Sequence, residues 1–292
     1  MPQVPWTILN LIRWTDERFR REGLSTPRLD AEVLLAETLG VDRVGLYTHF
    51  DQPLRPEELA RFKKLIQRRL QREPVAYIIG SREFWSLTFK VTPDVLIPRP
   101  ETEILVAEAL KVVSAPARTG RNFRILEIGT GSGAISIALA KECPSALLVA
   151  TDLSAEALAI AQENASRLGV GERIQFLQGD LFTPLEKEST FELIITNPPY
   201  IAEDDFPSLP PEVRGYEPRL ALDGGKDGLA FFRRILPNVA GFLSPGGWFL
   251  AEIGAGQEEK IRQIAEGNPE LACGDYVPDL SGIKRVFKVR KK

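Results

Sequence analysis

The sequence predicts an α/β fold: a mostly parallel sheet with helices on both faces, preceded by a small helical N-terminal region. Three observations predict it. Beyond Arg121, apolar strand-like runs alternate with amphipathic helical runs, the pattern of a parallel sheet covered on both sides. A glycine-rich turn follows the first of these strands and an acidic residue follows the second. Before residue 74, by contrast, apolar positions recur only at three- and four-residue spacing, with no strand-like alternation.

The elements follow in order. "TILNLIRWTDERFR" and "RLDAEVLLAETLG" read as helices; the second follows "STP" and stops at Gly40. "RPEELARFKKLIQRRLQRE" is a third, with Pro56 near its first turn. It carries Arg61, Lys63, Lys64, Arg68, Arg69 and Arg72, either a solvated face or a docking surface for an acidic or nucleic-acid-containing partner. Residues 1–74 therefore read as a helical substrate-docking domain. "VAYIIG" and "EFWSLTFKV" read as two short strands turning near Gly80–Ser81, so residues 75–100 read as a β-hairpin linker. A helix begins near Pro100, with Glu101 and Glu103 at its positive end.

From 101 to 292 the alternation runs strand "FRILEI", helix "SGAISIALAKE", strand "ALLVAT", and a helix capped by Ser154. Strands "IQFLQ" and "FELIIT" follow. After a proline- and glycine-rich loop of about 29 residues come the helix "GLAFFRRILPNVAGFL", the strand "GWFLAEI", the helix "QEEKIRQIAEG" and a closing strand pair, "LACGDYV" and "IKRVFKV". A loop that long is usually functional, and it reads as a lid or substrate wall.

Composition narrows the function. Charged residues are 26% and apolar residues 43%, ordinary for a globular chain. No apolar run approaches the roughly 18–20 residues that span a bilayer, and the N-terminus has neither a basic region nor a cleavage site of the signal-peptide kind. Only Cys143 and Cys273 are present, in unrelated contexts, which fits a reducing cytoplasm. One histidine, His49, sits in a polar turn-like stretch and reads as a surface residue. Imidazole catalysis and a metal site built on several imidazoles are thereby disfavoured. Residues 1–90 carry a net charge of +3 and residues 91–292 a net charge of −6, less basic than a nucleic-acid enzyme usually is.

In open parallel sheets, ligands bind beyond the carboxyl ends of the strands. After the first strand stands "LEIGTGSGA", where Gly129, Gly131 and Gly133 permit a tight turn and close approach of a ligand to the backbone. After the second stands Asp152, placed to accept from a ribose diol. These two features indicate a nucleoside-containing cofactor and fit either a nicotinamide or flavin enzyme or an S-adenosylmethionine enzyme. Glu127, two residues before the first glycine, separates them: it repels a pyrophosphate and suits a cationic ligand. After the third strand, Asp180 and Leu181 are candidates to meet an adenine ring.

After the fourth strand stands "NPPY", residues 197–200. Asn197 offers a side-chain carbonyl and Pro198 a backbone carbonyl, two acceptors for the two N–H bonds of a planar NH2 group. Pro198 and Pro199 hold that carbonyl rigidly without adding an N–H, and Tyr200 can stack on the flat group. Transfer then depends on proximity and orientation rather than on a strong base.

With these motifs in hand, the sequence resembles the class I S-adenosylmethionine-dependent methyltransferases, and more closely the release factor glutamine methyltransferase family. The resemblance spans essentially the whole chain, on "PDVLIPRPETE", "EIGTGSG", "TDLSAEALAIAQENA", "TNPPYI", "YEPRLALDGGKDGL", "GGWFLAEIG" and "DLSGIKRV". It implies a Rossmann-like seven-stranded sheet and N5-methylation of the glutamine in the Gly-Gly-Gln motif of peptide-chain release factors, the partners it implies. It also implies that Gly129, Thr130, Gly131, Ser132 and Gly133 wrap the amino-acid end of S-adenosyl-L-methionine, that Asp152 binds its ribose, and that Leu181 and Asn197 complete the cofactor site. Position 181 is often aromatic in the family, so leucine departs from the pattern there. Asn197, Pro198, Pro199 and Tyr200 would cradle the glutamine amide. The rivals are a glutamine methyltransferase of a ribosomal protein, an adenine-N6 nucleic-acid methyltransferase, a nicotinamide oxidoreductase and a non-catalytic binding protein. "PRPETE" favours the release-factor branch by resemblance, the acidic charge weighs against a nucleic-acid substrate, and Glu127 with "NPPY" weighs against the oxidoreductase.

Overall fold

A computed structural model of the chain describes residues 6–114, 123–272 and 274–292. The expectations about the first five residues and about Cys273 fall outside the described residues. The chain divides into two units: residues up to Gly80 together with Pro210–Tyr216, and Ser81–Leu209 together with Glu217–Lys292.

The first unit contains α1 (Ile8–Arg21), α2 (Pro27–Leu39), α3 (Arg43–Thr48), α4 (Pro56–Leu70), α5 (Val75–Ile79) and a short helix at Pro211–Tyr216. Phe19, Leu34, Leu35 and Phe62 are fully buried at its centre, projecting from the apolar faces of α1, α2 and α4. Side chains cap the starts of α1 and α3: Thr7 Oγ1 accepts from Asn10 N, and Asp42 Oδ1 accepts from Gly45 N at 2.7 Å. His49 lies exposed at the end of α3.

The basic residues of α4 are mostly committed inside this unit. Arg69 is buried and pairs with Asp30 at 2.7 Å and Glu212 at 3.1 Å. Arg68 pairs with Glu73, Arg72 donates to the Gly23 carbonyl, and Arg61 donates to the Thr38 carbonyl. Lys63 and Lys64 are exposed. A cationic docking face made of all six residues is thus reduced to these two and the outward parts of Arg61 and Arg72.

The run "VAYII" is α5 and not a strand. Pro74 stands at its N-cap and Gly80 closes it at φ +74°, stop and start signals that outweigh the β-prone composition. The hairpin lies one element later, in the second unit: β1 (Ser81–Phe84) pairs antiparallel with β2 (Leu87–Lys90). Trp85 and Ser86 make its two-residue turn, both at positive φ. The turn is tied down by Trp85, whose backbone N donates to Glu103 Oε1 and whose ring N donates to Glu142 Oε1, both at 2.8 Å.

The remaining elements are α6 (Thr102–Val113), β3 (Arg124–Ile128), α7 (Ala134–Glu142), β4 (Leu147–Asp152), α8 (Ala155–Arg167), β5 (Ile174–Gln178) and β6 (Phe191–Thr196). After α9, the Pro211–Tyr216 helix of the first unit, come α10 (Ala230–Ile235), α11 (Val239–Phe242), β7 (Leu243–Glu252), α12 (Glu258–Glu266), β8 (Leu271–Ala272), β9 (Tyr276–Pro278) and β10 (Lys284–Lys291). The single helix expected over 228–243 is two, because Pro237 cannot continue the helical hydrogen bonding.

The sheet order is β5-β4-β3-β6-β7-β10-β8, with β9 also on β10. β5 to β7 are parallel and β10 is antiparallel to β7. β8 and β9 pair with the two ends of β10 and together occupy the seventh strand position, so the seven-stranded expectation corresponds to eight segments. One core lies on each face. Leu105, Ile137, Leu139 and Leu193 belong to one, and Phe232, Leu236, Phe249 and Phe287 to the other. No described helix is long and apolar enough to cross a membrane.

Candidate active site

A cavity of about 310 Å³ opens beyond the carboxyl ends of β3, β4, β5 and β6. Gly129, Thr130, Gly131, Ser132, Asp152, Leu181, Asn197, Pro198 and Pro199 line it. Gly133 and Tyr200, expected beside them, are not among its lining residues. Gly133 serves the packing behind the loop: at φ +81°, a Cβ there would stand 2.9 Å from Ile137 Cδ1 and 3.2 Å from Ala161 Cβ. It lets the start of α7 lie against α8.

The glycine loop is built on β3 and β4. Gly129 and Thr130 donate backbone N–H bonds to the Thr151 carbonyl at 2.8 and 3.0 Å. Gly131 N donates to Asp152 Oδ2 at 2.8 Å, and Ser154 N donates to Asp152 Oδ1 at 3.0 Å. The Asp152 carboxylate therefore shapes the loop with one lone pair of each oxygen and keeps the others for a ligand. Burial raises its pKa, opposed by these backbone donors.

Glu127 is buried, 1% exposed, at the foot of the loop. Its Oε2 accepts from Thr130 Oγ1 at 2.7 Å, from Ser136 N at 3.1 Å and from Ser136 Oγ. Its carboxylate braces the loop against the first turn of α7 as well as lining the cavity. Burial pushes its carboxyl up to about 7, against the lowering effect of the hydrogen bonds. Asp180 also lines the cavity and is ion-paired with Arg234, so its carboxylate is already engaged. Leu181 holds φ at +53°, a conformation rare for a side-chain-bearing residue, and its carbonyl accepts from Thr151 Oγ1 at 3.3 Å.

Asn197 lies at the mouth of β6. Its Nδ2 donates to Thr102 Oγ1 at 3.2 Å, and Thr102 Oγ1 donates to Glu252 Oε2 at 2.6 Å. The other oxygen of Glu252 accepts from the Tyr200 hydroxyl at 3.2 Å. Glu252 is 2% exposed; burial raises its pKa, and burial followed by the neighbouring Glu252 raises that of Tyr200. Among the described residues, no donor reaches Asn197 Oδ1 or the Pro198 carbonyl. Both acceptors of the expected amide clamp are left open. Tyr200 is held from its other side by Gln257, whose Nε2 donates to the Tyr200 carbonyl at 3.0 Å.

The wall opposite the glycine loop comes from residues 93–102 and 218–221. Buried Glu217 joins the two stretches, accepting from Ile97 N at 3.3 Å and pairing with Arg99. The long loop is structured there and contributes Pro218, Leu220 and Ala221 to the lining.

The lining carries five carboxylates (Asp94, Glu127, Asp152, Glu156 and Asp180) and one guanidinium, Arg99, already paired with Glu217. That donor set rejects a diphosphate and fits a nucleoside whose other groups are cationic.

Residues 10–80 match the family described as the PrmC N-terminal domain, and residues 103–208 the methyltransferase small domain. The release factor glutamine methyltransferase of Geobacter sulfurreducens is 49% identical, over 96% of this chain and 95% of that protein. The chain belongs to the release factor glutamine methyltransferase family. A second relative of that name, from Rhodopirellula baltica, is 40% identical over 98% of this chain and 97% of its own. Among solved structures, a methyltransferase from Pyrococcus furiosus superposes with a TM-score of 0.52 at 19% identity, over 70% of this chain and 89% of its own, which supports the fold.

Within this member of the family, Thr102, Glu252 and Gln257 are site-supporting residues to which motif reading assigned no role. Glu252 carried a signal: it is a charge at the end of an otherwise apolar strand, "GWFLAEI". Thr102 stands inside "PRPETE", but its partners lie 95 and 150 positions away, so the motif did not reveal its contacts.

Proposed function

We propose that this protein transfers the methyl group of S-adenosyl-L-methionine to the side-chain amide nitrogen, N5, of the glutamine in the Gly-Gly-Gln motif of peptide-chain release factors. The observation that carries the proposal is the pair of open acceptors, Asn197 Oδ1 and the Pro198 carbonyl, beside an acidic nucleoside-sized cavity. Near-full-length identity to relatives bearing that name supports the choice of protein substrate.

Gly129, Thr130, Gly131 and Ser132 would hold the amino-acid end of the cofactor, Asp152 its ribose diol, and Leu181 its base. Gly133 would act from behind, by letting α7 pack closely. The cofactor supplies an electrophilic methyl group on a positively charged sulfur. Asn197 and Pro198 would accept the two N–H bonds of the glutamine amide and turn the face of its nitrogen toward that methyl group. Pro199 would keep the Pro198 carbonyl fixed, since neither proline brings a competing N–H. Tyr200 would act through its hydrogen bond to Glu252. Once the amide nitrogen has taken the methyl group it is strongly acidic, and its proton leaves to water without a dedicated base. Release factors work in the cytoplasm, which is where this protein would meet them.

Incubation of the purified protein with labelled S-adenosyl-L-methionine and a release factor tests the proposal. The factor should be labelled, and Gln→Ala in its Gly-Gly-Gln motif should abolish labelling. Label that persists on the altered factor overturns it.

A further inference from the structure

We infer that Thr102 and Glu252 are positioning residues that set which way the Asn197 amide faces, and that Glu252 thereby ties both ends of the Asn197–Tyr200 stretch to a single buried carboxylate. The inference rests on the proposed function and concerns residues outside the Asn197–Tyr200 stretch.

An asparagine side chain has two nearly isosteric ends with opposite hydrogen-bonding character. A clamp for an NH2 group works with the oxygen toward the substrate and fails with the nitrogen toward it, because two donors then face each other. Nothing within Asn197 itself chooses between these states. Thr102 does. Its hydroxyl proton is committed to Glu252 Oε2 at 2.6 Å, which leaves the hydroxyl oxygen only able to accept. Asn197 Nδ2 fills that place at 3.2 Å. A flipped Asn197 would set two acceptor oxygens against each other where Thr102 is 5% and Glu252 2% exposed. The oxygen is therefore kept toward the cavity.

The same carboxylate also accepts from the Tyr200 hydroxyl at 3.2 Å through its other oxygen. Residues 197 and 200 are thus referenced to one group at the end of β7, while the Gln257 side chain holds the Tyr200 carbonyl at 3.0 Å. The rigid prolines between them are fixed at both ends. A shift of the order of 1 Å in a clamp of this kind costs on the order of a hundredfold in rate.

Thr102→Val keeps the shape and removes the hydroxyl; Thr102→Ser keeps the hydroxyl and removes the methyl group. In release-factor methylation by the full chain, T102V should lower kcat about 10- to 100-fold with the affinity for S-adenosylhomocysteine within about threefold of wild type, and T102S should remain within about threefold in both. A second readout needs no turnover. In 15N-labelled protein without substrate, the Asn197 side-chain NH2 protons should exchange with water about tenfold faster in T102V and at the wild-type rate in T102S. Wild-type kcat in T102V, equal impairment of T102S and T102V, or unchanged exchange in T102V overturns the inference. Failure of the wild-type enzyme to label the factor, with the exchange pattern as stated, overturns the proposed substrate and leaves the positioning role standing.

Discussion

Glu127 is a carboxyl group 1% exposed at the wall of the cavity, and burial pushes it up to about 7. Between about pH 4.5 and 7 the folded protein therefore holds a proton that the unfolded chain has released. Stability from this group is present at low pH and is lost as pH rises through that window. A cation in the cavity favours the ionised form. S-adenosyl-L-methionine should accordingly bind more tightly at pH 7 than at pH 5.5 and release protons as it binds, while Glu127→Gln should show neither effect. Calorimetry in two buffers of different ionisation enthalpy measures both. At this scale the sequence was legible wherever function is written in neighbouring residues. Gly129, Gly131, Asp152, Asn197, Pro198 and Pro199 all meet the cavity. The same logic placed Gly133 and Tyr200 in the lining, but one serves helix packing and the other serves a hydrogen bond to Glu252. Thr102 was hidden because its role exists only after α6 and β7 have been brought together.

Among the elements, the β1–β2 hairpin shows most clearly what local pattern leaves out. Its strand character and turn are visible in alternation, although the run before it was drawn into the pairing for its β-branched residues and folds as α5. The attachment of the hairpin was not visible at all. Asn164 on α8 is fully buried and joins it to the glycine loop: Lys90 N donates to Asn164 Oδ1 at 2.8 Å, while Nδ2 donates to the Lys90 carbonyl at 3.0 Å and to the Ser132 carbonyl at 2.9 Å. Asn164→Ala strands three backbone groups, one buried and two partly buried, each worth about 1 kcal/mol. Urea unfolding should show a loss of about 3 kcal/mol. S-adenosylhomocysteine should also bind more weakly, since Ser132 is part of the cavity lining. A hairpin that were only a linker would change neither quantity.

For the whole molecule, the pattern of apolar runs carried the strand–helix alternation and the sheet class, because a strand buried on both faces has no polar side to disguise it. The division into units was less legible, since membership depends on which side chains meet. The buried Arg69 is the clearest case. It reads in sequence as one more cation on a basic helix face, yet it lies between Asp30 and Glu212 with 4% of its side chain exposed. Arg69→Ala leaves Asp30 without its ion-pair partner in a buried site and should cost about 3–5 kcal/mol in urea unfolding of the full chain. Lys64→Ala, on the exposed face of the same helix, should change stability by less than about 0.5 kcal/mol.

The membership of Pro210–Tyr216 in the first unit has a consequence for how the protein is made. Glu212 supplies one of the two carboxylates of the Arg69 cluster, and the Tyr216 hydroxyl donates to the Gln71 carbonyl at 2.7 Å. These groups are translated more than 130 residues after the helices they complete. As the chain leaves the ribosome, Arg69 has Asp30 but not Glu212 as a carboxylate partner until much of the second unit has emerged. A fragment cut at residue 80 would be left in that same unfinished state.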